Sequence, residues 1–154
     1  MSLKQLKAYR NYLSGNNKIP HVIIYGSDPI SFVHDLVQIW YESGLISNPD
    51  IKILNRRDFI GEYVGQTSLK TNNVLEAHKD KVILIDEGYT LMLDQDDRFG
   101  HEAIFVLIEH LDKRSRPVIL SGEREHLEKW LDQHPYINRR FDYRFMTTES
   151  SKPQ

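Results

Sequence analysis

The chain has 154 residues, 40% hydrophobic and 27% charged, which is the make-up of one soluble domain able to bury a core. Its 20 Lys and Arg against 22 Asp and Glu leave a net charge of −2, so no global field draws it to nucleic acid or an anionic membrane. The lack of cysteine excludes disulfides, thiolate metal sites and a cysteine nucleophile. No apolar run approaches the ~20 residues that span a bilayer, and Met1 to Lys7 lack the apolar stretch of a signal peptide, so a cytoplasmic protein is expected.

Leu3, Leu6, Tyr9 and Leu13 recur at helical spacing and predict a first helix ended by Gly15-Asn16-Asn17. Pro20 then introduces His21-Val22-Ile23-Ile24-Tyr25-Gly26, a short apolar run that reads as a buried strand closing on a glycine turn. Between Pro29 and Ser43, Ile30, Val33, Val37 and Trp40 share one helical face, and Gly44 stops the helix. Ile51 to Leu54 reads as a second, weaker strand. A polar loop from Gly61 to Thr67 leads into a helix carrying Leu69, Val74, Leu75 and Ala77.

The strongest strand is Lys81 to Glu87, apolar without alternation through Val82-Ile83-Leu84-Ile85, as expected for a strand covered on both faces. After an acidic loop, Asp94 to Asp97, a helix is predicted from about Gly100 to Leu111. Pro117 to Ser121 is a fourth strand, Glu123 to Leu131 a further helix, and the alternation of Phe141, Tyr143 and Phe145 predicts a fifth, edge strand. Residues 1–146 therefore form one three-layer α/β domain on a mainly parallel sheet, and the polar residues 147–154 a disordered tail.

In such a sheet ligands bind at the carboxyl ends of the strands. Gly26 to Val33 lies where a phosphate-binding loop would be, but only the first glycine of G-x-x-x-x-G-K-[ST] is present. Ser31 takes the second glycine position, Phe32 the lysine position and Val33 the hydroxyl position. Neither an aromatic ring nor a branched aliphatic can supply a charge to phosphates or hold magnesium. By itself the segment reads as an ordinary strand–turn–helix. The next strand end has four apolar residues followed by Asp86-Glu87, a Walker B pattern in which the aspartate acts through magnesium-bound water and the glutamate orients the attacking water. The pattern is short, and acidic strand ends are common. Ser121-Gly122-Glu123 adds polar groups at the neighbouring strand end.

Five segments then occur in one family's order. They are Arg57 to Thr67 with Lys70-Thr71, Val82 to Tyr89, Gly100 to Ile104, Val118 to Gly122, and His134 to Phe141. From Pro20 to Phe145 the chain resembles the α/β subdomain of an AAA+ ATPase, in the group that contains stage V sporulation protein K and the CbbX-type rubisco activase. The resemblance implies a P-loop-NTPase-like sandwich of five strands in the order 5-1-4-3-2, without the helical lid that follows the fifth strand in the family. It implies a pore loop at Tyr63-Val64-Gly65 that grips polypeptide, and Walker B acids at Asp86 and Glu87. It places a polar sensor position at Glu123 and an arginine finger, reaching a neighbour's nucleotide, at Arg140. Gly26, Ser31, Phe32 and Val33 fall on a degenerate Walker A loop.

Residues that hold the chain's own nucleotide are lost, and those that face a channel or neighbour are kept. The expectation is a non-hydrolysing subunit of an AAA+ ring, partnered by an intact AAA+ paralogue or a polypeptide client in a homo- or hetero-oligomer. No cofactor is expected; ATP with magnesium would bind weakly, with Asp86 a metal ligand only in that case. Two alternatives stay open. One is a weak ATPase that uses the backbone amides after Gly26. The other is a stand-alone interaction module whose cleft is filled by Phe32. The seven histidines lack metal-ligand spacing, the Asp94 to Asp97 loop lacks the other ligands of a calcium site, and Lys113 to Arg116 suits the end of a helix better than nucleic acid.

Overall fold

The computed structural model describes residues 1–147, so the tail expected over 147–154 lies outside the described residues except for Thr147. Its helices are α1 (Leu3–Ser14), α2 (Ile30–Glu42), α3 (Arg56–Phe59), α4 (Thr67–Ala77), α5 (Arg98–Lys113), α6 (Arg124–Gln133) and α7 (Pro135–Asn138). The strands are β1 (His21–Tyr25), β2 (Ile51–Leu54), β3 (Val82–Ile85), β4 (Val118–Gly122) and β5 (Tyr143–Met146). They form one sheet in the order β2-β3-β4-β1-β5, the expected order read from the other edge, and all four pairings are parallel.

Strand alternation divides the core in two. Val22 and Ile24 of β1, Val82 and Leu84 of β3 and Ile119 of β4 face α1 and α2, where Tyr9, Val33, Leu36 and Trp40 cover them. Ile23, Ile83, Ile85 and Leu120 face the opposite way, under Phe59, Leu75, Leu107, Leu127 and Trp130 from α3 to α6. The first layer is tied by aromatic packing: Trp40 donates from Nε1 to the Tyr9 hydroxyl at 2.8 Å, and the Tyr9 and Phe145 rings meet edge-on at 5.0 Å. Capping sets helix starts that periodicity alone leaves loose. Ser2 and Gln5 form a capping box at α1, Asn55 and Asp58 another at α3, and Asp97 caps α5, which starts at Arg98, two residues before the predicted start.

At the amino end of β1, His21 is fully buried and joins three elements. Its ring donates from Nε2 to the Leu111 carbonyl at 2.8 Å and accepts at Nδ1 from the Val118 N–H at 3.1 Å, a pair of bonds that fits the neutral ring. Its own N–H goes to Asp142, which Arg114 and Lys18 also hold. Burial pushes the ring pKa down to about 4, below its ordinary value. The unfolded chain therefore takes up the proton first, so stability is full above pH ~6.5 and is lost as pH falls toward ~4. His21→Gln, which keeps a donor and an acceptor but does not titrate, should remove that component. Urea unfolding at pH 7 and pH 4 should show the wild type losing on the order of 3 kcal/mol more than the variant between the two.

Candidate functional site

The carboxyl ends of β3, β4 and β1 lie side by side and gather Asp86, Ser121, Glu123 and Gly26. The Asp86 Oδ1 accepts from the buried Ser121 hydroxyl and from the Glu87 N–H, each at 3.0 Å. Glu87 is exposed and takes a left-handed conformation, φ 52° and ψ 50°, a costly geometry for a residue with a Cβ. The polar partner that meets Asp86 is thus Ser121, whereas Glu123 is exposed, with its carboxylate 3.6 Å from His126 Nδ1. A cavity of about 440 Å³ beside Gly26 is walled by Glu123, Glu125 and Glu128, with Arg124 already paired to Glu128 at 3.0 Å. Carboxylates dominate this wall.

At the end of β1, the Gly26 N–H donates to the Gly122 carbonyl at 2.9 Å. Thr147 lies across it, donating from N–H and Oγ1 to the Tyr25 carbonyl. After the turn, Pro29 at the N-cap offers α2 no side-chain cap. Ser31 is exposed, but Phe32 and Val33 turn into the core. The Phe32 ring is only 4% exposed and packs edge-on to Phe145 at 5.1 Å. It belongs to the aromatic layer under α1 and α2, and it brings no polar atom to the turn.

The segment Ile60 to Gln66 forms a separate feature beyond β2. Its base is fastened from both sides: Gly61 N–H donates to Thr67 Oγ1 at 3.0 Å, and Thr71 Oγ1 donates to the Phe59 carbonyl at 2.9 Å. Lys70 Nζ donates to the Arg57 and Ile60 carbonyls at 2.7 and 2.9 Å. The tip is open, with Tyr63 66% and Val64 86% exposed, and Gly65 turns the chain at φ 87°. The loop thus presents an aromatic ring and an aliphatic group to solvent on an anchored base. Arg140 lies apart from both groups, ahead of the amino end of β5. Its Nε and Nη2 donate to the Asp112 carboxylate at 2.8 and 3.2 Å and its Nη1 to the Tyr136 carbonyl at 2.6 Å, while Arg139 next to it is exposed.

No protein-family model matches the chain. Stage V sporulation protein K of Bacillus subtilis is 28% identical over 106 residues, 68% of this chain and 33% of that protein. ESX-3 secretion system protein EccA3 of Mycobacterium tuberculosis is 30% identical over 119 residues, 75% of this chain and 19% of its own length. The chromosomal protein CbxX of Cupriavidus necator is 28% identical over 108 residues, 68% and 34% of the two chains. A chain of the E. coli MS115-1 HORMA:CdnC:Trip13 complex superposes with a TM-score of 0.54 at 13% identity, covering 84% of this chain and 49% of that one. The FIGL-1 AAA domain in complex with ADP gives 0.52 at 17% identity, covering 82% and 42%. The chain belongs to the AAA+ family.

The two solved structures establish the fold alone, and the AAA+ chain spans about a third or less of the relatives named above. One contact in this AAA+ domain has no signal in a single sequence. Arg56, at the start of α3, donates to the Thr90 and Leu91 carbonyls and to both oxygens of Asp97, at 2.6 and 3.1 Å. Asp97 also accepts from the Leu93 and Gly100 N–H groups; together these donors outweigh burial and pull its carboxyl pKa down to about 2. Among the described residues no group of three or more acidic or histidine side chains is placed to hold a metal ion.

Gly26 is where substitution should be felt first, because a Cβ there would lie 1.9 Å from Thr147 Oγ1. Gly26→Ala should cost about 1–3 kcal/mol by forced displacement, and adding Thr147→Gly should recover part of it. Urea unfolding of the two single variants and the double variant measures the coupling.

Proposed function

We propose that this AAA+ domain does not hydrolyse ATP by itself and acts as a co-assembling, regulatory subunit of an AAA+ ring. Phe32 carries the proposal. Its ring is packed in the core at the position where a phosphate loop has its lysine, and Val33 beside it is equally buried. The triphosphate would meet neither a cation nor a metal-anchoring hydroxyl, and the nearby cavity presents Glu123, Glu125 and Glu128 instead. Hydrogen bonds to a charged group are worth about 1.5–3 kcal/mol each, so affinity falls steeply with their loss.

Other features suit contact with other chains. Tyr63 and Val64 stand exposed on an anchored loop, and Arg140 lies on a different part of the surface, available to a neighbour once it leaves Asp112. The client class that fits is polypeptide. EccA3 is named as a secretion-system protein, and the Trip13 structure is a multi-protein complex. The Arg140–Asp112 pair, which occupies that cation within its own chain, favours a second function: a stand-alone protein-interaction module on the same fold.

Calorimetric titration with ATP and magnesium should give no binding tighter than about 100 μM, and the chain alone no turnover. Mixed with an ATPase that co-purifies with it, the chain should change that enzyme's rate, and Arg140→Ala should abolish the change. Tight ATP binding lost in Asp86→Ala would replace the proposal with an active site. Retention of the partner with no rate effect of either sign would select the interaction module.

A further inference from the structure

Far from Asp86, at the amino end of the sheet, a buried cation has no counter-ion. Arg116, two residues before β4, is 6% exposed. Its Nη1 donates to the Leu75 carbonyl in the last turn of α4 at 2.9 Å, and its Nη2 lies 3.4 Å from His110 Nδ1. A guanidinium cannot accept, so Nδ1 is the acceptor. The ring proton then sits on Nε2 and is donated to Asn72 Oδ1 at 2.9 Å, leaving His110 neutral. Among the described residues the Arg116 Nε–H has no protein acceptor, and no carboxylate oxygen lies within 4.0 Å of the guanidinium. Glu76 and Asp80 act on it only from longer range. The negative end of α4 supplies part of the balance. A buried charge without a paired carboxylate is otherwise costly.

Arg116 lines a cavity of about 160 Å³, together with Lys79, Lys81, Ser47 and Ser115, beside the starts of β3 and β4. Asp80 is the acidic residue in its wall, and its carboxylate already accepts from Asn48 Nδ2 at 3.3 Å. The wall therefore carries three basic residues, Arg116, Lys79 and Lys81, against one acidic residue, Asp80, together with two serines. The space is enough for an ion the size of phosphate.

We propose that this cavity binds a small tetrahedral oxyanion of the phosphate class, held by Arg116 with Lys79 and Lys81. The site is independent of the strand-end cleft and of the ring function proposed above. A tetrahedral oxyanion presents four separate acceptor oxygens to donors spread along the wall, whereas chloride is a single, weaker acceptor centre, so the preference should be chemical rather than merely ionic.

The test is thermal unfolding and calorimetry of the full chain with inorganic phosphate, and with chloride at matched ionic strength. At about 10 mM, phosphate should raise Tm by roughly 2–5 °C beyond chloride. Lys79→Ala with Lys81→Ala, which leaves Arg116 and the core in place, should weaken phosphate binding about ten-fold or more. Arg116→Met should abolish it; if that variant does not fold, the lysine pair decides. O-phosphoserine binding as tightly as phosphate would assign the site to phosphate esters, and weaker binding to the free ion. Equal shifts from phosphate and chloride would overturn the proposal. So would loss of phosphate affinity in Arg124→Ala but not in the lysine pair, because the ion would then sit beside Gly26.

Discussion

The central strand β1 is the constraint on which the rest of the molecule depends. It is hydrogen-bonded to β4 on one edge and β5 on the other, and all five of its residues are buried. Its alternating side chains join the two halves of the core, so neither helical layer can shift without disturbing the other. Its beginning is fixed by the His21 ring, which ties β4 and α5 to it, and its end by the Gly26 amide, which is bonded to Gly122. The turn that follows inherits that rigidity, and Thr147 crosses it at a distance only glycine permits.

The aromatic layer on the α1–α2 face accounts for the burial of Phe32 in the first turn of α2. Tyr9, Trp40, Phe145 and Phe32 form one packed set, and Phe32 contributes to it as a core residue. A lysine there would have to leave its ammonium inside this layer or push its neighbours aside, and either is costly. The polar chemistry of the strand ends is left to Asp86 and Ser121, which satisfy one another across adjacent strands.

Periodicity and runs of apolar residues were enough to find all five strands and the long helices, because each buries a regular face. Strand order came from the resemblance to AAA+ proteins, since pairing between distant segments leaves no local pattern. The short helices α3 and α7 escaped notice, because four residues carry no measurable period. The surroundings of Asp86 were partly legible. The apolar run before it marked a strand end, and Ser121 could be placed at the neighbouring strand end, but the bond from the Ser121 hydroxyl to Asp86 shows only in three dimensions. The fate of arginines was not legible at all. Arg140 closes on Asp112, Arg114 on Asp142, and Arg116, the last residue of the basic cluster that begins at Lys113, reaches the end of α4. A long side chain finds its partner only in three dimensions.

α3 is a single turn, far below the length at which a helix holds together in water on its own. It exists because Arg56 moors one end to the loop between β3 and α5, while Lys70 moors the other to α4. It is a strut: a side chain of its own holds one end to the segment after β3, and a side chain of α4 holds the other, so the base of the Tyr63 loop is braced from two sides.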